Sequence, residues 1–112
     1  MHGKQFQALA KRTWHPEQMS IPPLVYLAMG MGEVGEVVGE IKKIYRDDGG
    51  EITTDRRTRL LYEIGDVLWY LALISDTLGL SLDEVMKANL KKLSLKYNLV
   101  LPQGVLEGDE DL

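Results

Sequence analysis

Two short acid pairs hold the chemistry this sequence could perform: Glu33 and Glu36 in Gly32-Glu33-Val34-Gly35-Glu36, and Glu63 and Asp66 in Glu63-Ile64-Gly65-Asp66. At roughly 100° and 1.5 Å per residue, acids three apart leave one helix face about a turn from each other. With the first acid of each pair at zero, the second falls near −60° and the apolar stripe between about 20° and 80°. That stripe is Tyr26, Gly30, Val37, Ile41 and Ile44 in one segment, and Leu60, Val67, Leu71, Ile74 and Leu78 in the other. Between the segments, Asp47-Asp48-Gly49-Gly50 is a turn signal. Folded back there as an antiparallel hairpin, level positions sum to about 99, which sets Glu33 beside Asp66 and Glu36 beside Glu63. Helix axes about 8–10 Å apart then bring four carboxylates onto one patch. Like charges that close repel unless some stay protonated or a cation neutralises them. A divalent metal does so most simply, and an oxygen-only set suits Mg²⁺, with Mn²⁺ as the alternative. Acids beside an apolar stripe are often a solvated shoulder or reach to Lys and Arg. That bland reading covers one pair but leaves the agreement of spacing, phase and level in two pairs as coincidence.

Four helices must position these groups. Residues 4 to 14 carry Phe6, Leu9, Ala10 and Thr13 at helical spacing, and Trp14-His15-Pro16 ends them. Glu17 to Ile21 is a connector. The second helix is expected from Pro23, suited to a first turn, to about Arg46. Its Gly30, Gly32, Gly35 and Gly39 each cost roughly 1 kcal/mol against alanine, which suggests a close neighbour on that face. The third is capped by Thr53 or Thr54 and stops at Gly79 after Leu78. By the level rule Arg59 faces Glu40, so Glu40 reads first as a salt-bridge partner and second as a fifth ligand. Ser81-Leu82-Asp83-Glu84 is a capping box opening a fourth helix to about Tyr97. Asn89 projects into its apolar stripe, with Lys92 and Lys96 on the edge of the same side. Such groups are more often register-setting or solvated, yet beside an acidic metal site lysines suit a phosphate. The fold class is all-α: a four-helix, bundle-like domain over residues 1–97, built on a long antiparallel hairpin. Residues 98–112 form an acidic, loosely ordered tail.

Composition narrows the partners. At 112 residues the chain is one domain, and a net charge of −4 without a basic run argues against nucleic acid. There is no cysteine for disulfides, thiolate zinc or a thiol nucleophile. The first residues lack the apolar core of a signal peptide, and Val67–Ser75 is too short to span a bilayer. A soluble, cytoplasmic protein is expected. His2 and His15, the two histidines, lie off the acid spacing, unlike the Glu-x-x-His pairs of di-iron bundles. Walker, dinucleotide and nucleophile-elbow motifs are absent.

At these residues the chain resembles the MazG-like all-α nucleoside triphosphate pyrophosphohydrolases. Glu33-x-x-Glu36, a spacer and Glu63-x-x-Asp66 match that signature, in the contexts Gly32 to Val37 and Glu63 to Leu71. Asn89-Leu90-Lys91-Lys92-Leu93 with Lys96-Tyr97 is similar to the family's Asn-x-x-Lys-Leu element and basic-Tyr pair. The resemblance spans about residues 5 to 97. It implies Mg²⁺-dependent cleavage of a nucleoside triphosphate, a dNTP or non-standard NTP, to monophosphate and pyrophosphate. Glu33, Glu36, Glu63 and Asp66 would hold metal, and Lys92 and Lys96 would contact phosphates. Asn89, Trp69, Tyr97 and residues of the first helix would serve the substrate, and a homodimer or homotetramer is implied. Relatives often carry a further Glu where this chain has Gly32. That leaves the general base open: Glu36 is favoured, with Glu33 or Glu40 as alternatives. Phosphoribosyl-ATP or dUTP pyrophosphohydrolase on the same scaffold, and a non-enzymatic helical binding module, are the competing functions.

Overall fold

The computed structural model describes residues 1–18 and 20–106, leaving out Met19 and the acidic end of the expected tail. Among them lie five α-helices and no strand: α1 Gly3–Lys11, α2 Pro23–Gly30, α3 Glu33–Asp47, α4 Thr54–Thr77 and α5 Leu82–Tyr97, with a 3₁₀ turn at Pro16–Gln18. The four expected helices occur in order, but the second is broken at Met31-Gly32 and the first ends at Lys11. Hydrophobic spacing runs unbroken through that point, which is why periodicity alone reads one helix. Local hydrogen bonds show the interruption: Met31 N–H goes back to Ala28, and Gly32 N–H to Met29.

The 24-residue α4 is the element on which the others are built. Thr53 Oγ1 accepts from Arg56 N–H at 3.2 Å at its start. At its end Leu80 N–H reaches Ser75 C=O (2.8 Å) and Gly79 N–H reaches Asp76 C=O (2.9 Å), a Schellman closure. Gly79 has φ +76°, so the helix stops where a residue without Cβ can turn it. The α3–α4 loop uses the same device, with Gly49 at φ +63° and Gly50 at +85°, and Gly50 N–H returning to Ile44 C=O (2.9 Å). The chain folds back there, and α3 packs along α4.

Leu27 of α2, Ala10 of α1 and Leu73 of α4 form a small core, covered by Trp14, Trp69, Tyr70 and Ile74. Buried Gln7 binds three elements together: its amide donates to Ala72 C=O (3.1 Å) and Leu80 C=O (3.0 Å), and its oxygen accepts from Leu82 N–H (2.9 Å). That fixes α1 over the α4–α5 junction, where α5 turns off at 97° to α4. Ser81 Oγ caps α5 by accepting from Glu84 N–H (3.1 Å), as expected, and Asn98, in the left-handed region, ends it. Among the described residues no single helix is long and apolar enough to cross a membrane.

One flank of the hairpin is uncovered. On α3, Val34, Val38, Ile41 and Tyr45 are exposed; on α4, Leu61, Ile64, Leu68 and Leu71 are exposed. Both sets repeat at three- and four-residue spacing, about 100–110° round each helix from the line facing its neighbour. In an antiparallel pair, equal offsets point to the same side. The two stripes therefore make one continuous apolar face, on the flank opposite Glu36 and Asp66.

Candidate metal centre

The break at Met31-Gly32 matters most for the acids. It makes Glu33 the first residue of α3 and puts Glu36 in the same first turn. The first N–H groups there are already taken, Val34 N–H by Met31 C=O (3.0 Å) and Gly35 N–H by Gly32 C=O (2.9 Å), so the helix start offsets little of the acids' mutual repulsion. Glu63 and Asp66 come from the middle of α4. Carboxylate oxygens of Glu33, Glu63 and Asp66 lie within 4.8 Å of one another. Glu33 and Asp66 also line a cavity of about 270 Å³ together with Trp69 and Tyr70. Glu36 is exposed and stands outside the set of three.

The Glu36 charge still acts on that set. The Glu63 carboxyl is pushed above the usual glutamate range, first by loss of solvent and next by the Glu36 charge, followed by those of Asp66, Glu33 and Glu40. Among the described residues none of Glu33, Glu36, Glu63 and Asp66 is in an ion pair, so these acids are not explained as partners of Lys or Arg. Clustered, unpaired, oxygen-only donors are the set a hard divalent cation requires.

Glu40 is the contrast. It is buried and bonded to Arg56 (3.2 Å) and Lys43 (3.6 Å). The expected partner Arg59 instead meets Asp55 at 3.1 Å. Arg56 lies one turn nearer the loop, where Asp48 (2.8 Å) and Asp47 (3.7 Å) also hold it. The ion-pair reading of Glu40 stands, with a corrected partner, and this network closes the hairpin at its loop end.

Trp69 and Tyr70 meet edge to face, centroids 4.9 Å apart at 89°, and the Trp69 indole N–H donates to Thr13 Oγ1 at 2.8 Å. Tyr70 is pushed above the ordinary tyrosine range by burial, then by Tyr26, Glu33 and Asp66, so it remains a neutral O–H donor. Tyr70, which no motif or spacing in the sequence singles out, lies one turn beyond Asp66, on the side of α4 that carries Glu63. Asn89, Lys92, Lys96 and Tyr97 are exposed on α5. The Lys96 ammonium lies 5.3 Å from the Tyr97 ring centre, and among the described residues no polar side-chain contact joins α5 to α3. The acids thus assemble within one chain, whereas the lysines stand on a helix directed elsewhere.

Glu63 gives a pH prediction. Its folded pKa exceeds the unfolded value, so the folded state holds its proton more firmly. That contribution is fully present below the ordinary glutamate pKa and is lost as pH rises through the raised value. In EDTA, Glu63→Gln should therefore melt progressively higher than wild type as pH climbs through that window. Parallel melting curves of the two proteins across pH would contradict it.

The class the structure defines is an all-α protein with three carboxylates gathered across a helical hairpin. The family assignment is narrower. Residues 22–100 match the MazG nucleotide pyrophosphohydrolase domain, and the chain belongs to that family. Gene 37 protein of Mycobacterium phage L5 is 41% identical over 93 residues, 82% of this chain and 78% of that one. Uncharacterized protein YvdC of Bacillus subtilis (strain 168) is 32% identical over 80 residues, 67% of this chain and 76% of its own. No solved structure matches significantly.

Proposed function

We propose that the protein hydrolyses a nucleoside triphosphate, a dNTP or non-standard NTP, to nucleoside monophosphate and pyrophosphate with Mg²⁺ or Mn²⁺. The observation that carries this reading is the unpaired convergence of Glu33, Glu63 and Asp66 in a chain of this family. These three would hold the cation. When bound, it supplies neutralisation of phosphate charge and polarisation of the α-phosphorus. Glu36, outside the set of three, would take the proton from the attacking water. As the oxygen–phosphorus bond forms at the α-phosphorus, the bond to the bridging oxygen breaks and pyrophosphate leaves with that oxygen. A panel of nucleotides with Mg²⁺ tests the reading: monophosphate and pyrophosphate should appear in equal amounts for at least one substrate. A diphosphate with free phosphate would refute it.

The lysines of α5 would neutralise the leaving pyrophosphate. With α5 turned off at 97° to α4, a further contact between copies, apart from the apolar flank, would have to bring them to the nucleotide. Lys92→Ala and Lys96→Ala should each raise KM about tenfold, the scale of a lost charge-assisted hydrogen bond. Mn²⁺ affinity without nucleotide should not move, since an ammonium cannot ligate a cation. Unchanged KM and kcat in both variants would make them solvated surface groups.

A second copy is also what the apolar flank calls for. Pairing through the Val34–Tyr45 and Leu61–Leu71 stripes gives a homodimer, or a homotetramer of two such dimers. Either leaves the acid flank open to the nucleotide.

A further inference from the structure

We propose that Tyr70 is a substrate-contacting residue of the acid site, and that position 30 is glycine because the Tyr70 ring must lie against it. This deepens the pyrophosphohydrolase reading and rests on it. Of the glycines within helices α2 to α4, Gly30 alone is crowded on its Cβ side. An added Cβ would overlap Tyr70 Cε1 and stand 2.5 Å from Cζ, whereas Gly35, Gly39 and Gly65 have open space. The costly glycine at the end of α2 thus seats one ring. That ring lies beside the acids: Tyr70 shares the cavity with Glu33 and Asp66. Its neighbour Trp69 is fixed from behind by Thr13. Among the described residues the Tyr70 hydroxyl has no hydrogen-bond partner.

The direction of the substrate follows from what closes each end. Towards the loop, the Glu40–Arg56–Asp48 network fills the space between α3 and α4. Away from the loop, one turn of α4, about 6 Å, leads from Asp66 to Tyr70. A nucleotide with its phosphates at Glu33, Glu63 and Asp66 therefore runs its sugar end along the aromatic wall. There the Tyr70 O–H donates to an oxygen at the junction of α-phosphate and sugar. Gly30 touches no substrate; it is a positioning residue acting through the ring.

The test measures binding, without turnover, of the four α,β-methylene deoxynucleoside triphosphates with Mn²⁺, and of Mn²⁺ alone. Tyr70→Phe keeps the ring and removes only the hydroxyl. It should weaken the analogue bound best by wild type about tenfold while leaving Mn²⁺ affinity unchanged. Gly30→Ala should weaken the analogue in the wild-type background but add nothing to Tyr70→Ala, a coupling that general loosening would not produce. Unchanged analogue binding by Tyr70→Phe overturns the contact even where Gly30→Ala fails to fold. Additive Gly30→Ala and Tyr70→Ala effects overturn the positioning role. A wild type that binds neither Mn²⁺ nor any analogue removes the parent reading together with this one. Wild-type binding that Tyr70→Phe retains in full removes this one alone.

Discussion

Asp66→Asn is expected to abolish Mn²⁺ binding and to lower turnover by about a thousandfold or more. The size follows from where the residue sits: its oxygen lies within 4.8 Å of oxygens from Glu33 and Glu63. Catalysis by such a site rests on charge neutralisation at the phosphate, which an amide in that position weakens. Glu36→Gln should differ in kind. Standing outside the three-acid set, it should lose turnover while Mn²⁺ binding persists, as a proton acceptor would. Both variants should fold, and in EDTA Asp66→Asn should melt higher than wild type because a repelling charge is gone. Isothermal titration with Mn²⁺, turnover and thermal melts together separate the outcomes. Normal turnover in both variants would place the site elsewhere.

The second large effect concerns the uncovered flank. Val38 and Leu61 are 59% and 67% exposed at the middle of the two stripes, level with one another by the hairpin rule. Val38→Glu combined with Leu61→Glu puts like charges on both sides of any self-complementary contact through this face, because each copy presents the same patch. Sedimentation should then show monomer where wild type shows dimer or tetramer, with a lower Tm where assembly supports the fold. The acid cluster lies on the other flank, so Mn²⁺ should still bind to the monomer. Wild-type assembly in the double variant would locate the contact elsewhere; a monomeric wild type would dispose of it.

Much of this site was legible in the sequence because helical geometry is regular. The i,i+3 spacing, the Asp-Asp-Gly-Gly turn and the level rule bring Glu33, Glu63 and Asp66 together, whereas Glu36, expected as the fourth acid of the patch, stands outside the set. The Gly79 stop and the Ser81 cap were legible for the same reason, since each is a local backbone requirement. What was not legible depends on departures from regularity. The break at Met31-Gly32 leaves the hydrophobic spacing intact, so the position of Glu33 at a helix start is hidden. The exchange of Arg59 for Arg56 turns on the reach of a long side chain towards two loop aspartates. The 97° turn of α5 is fixed by buried Gln7, which lies far in sequence from the Ala72, Leu80 and Leu82 backbone groups it joins. Nor does any spacing rule join Gly30 to Tyr70, since that contact belongs to packing.

The most direct test is which bond breaks. Turnover of the best nucleotide with Mg²⁺ in ¹⁸O-labelled water should place the label in the nucleoside monophosphate, with unlabelled pyrophosphate in equal amount. Label in pyrophosphate would show attack at the β-phosphorus instead, and a nucleoside diphosphate product would contradict the account outright.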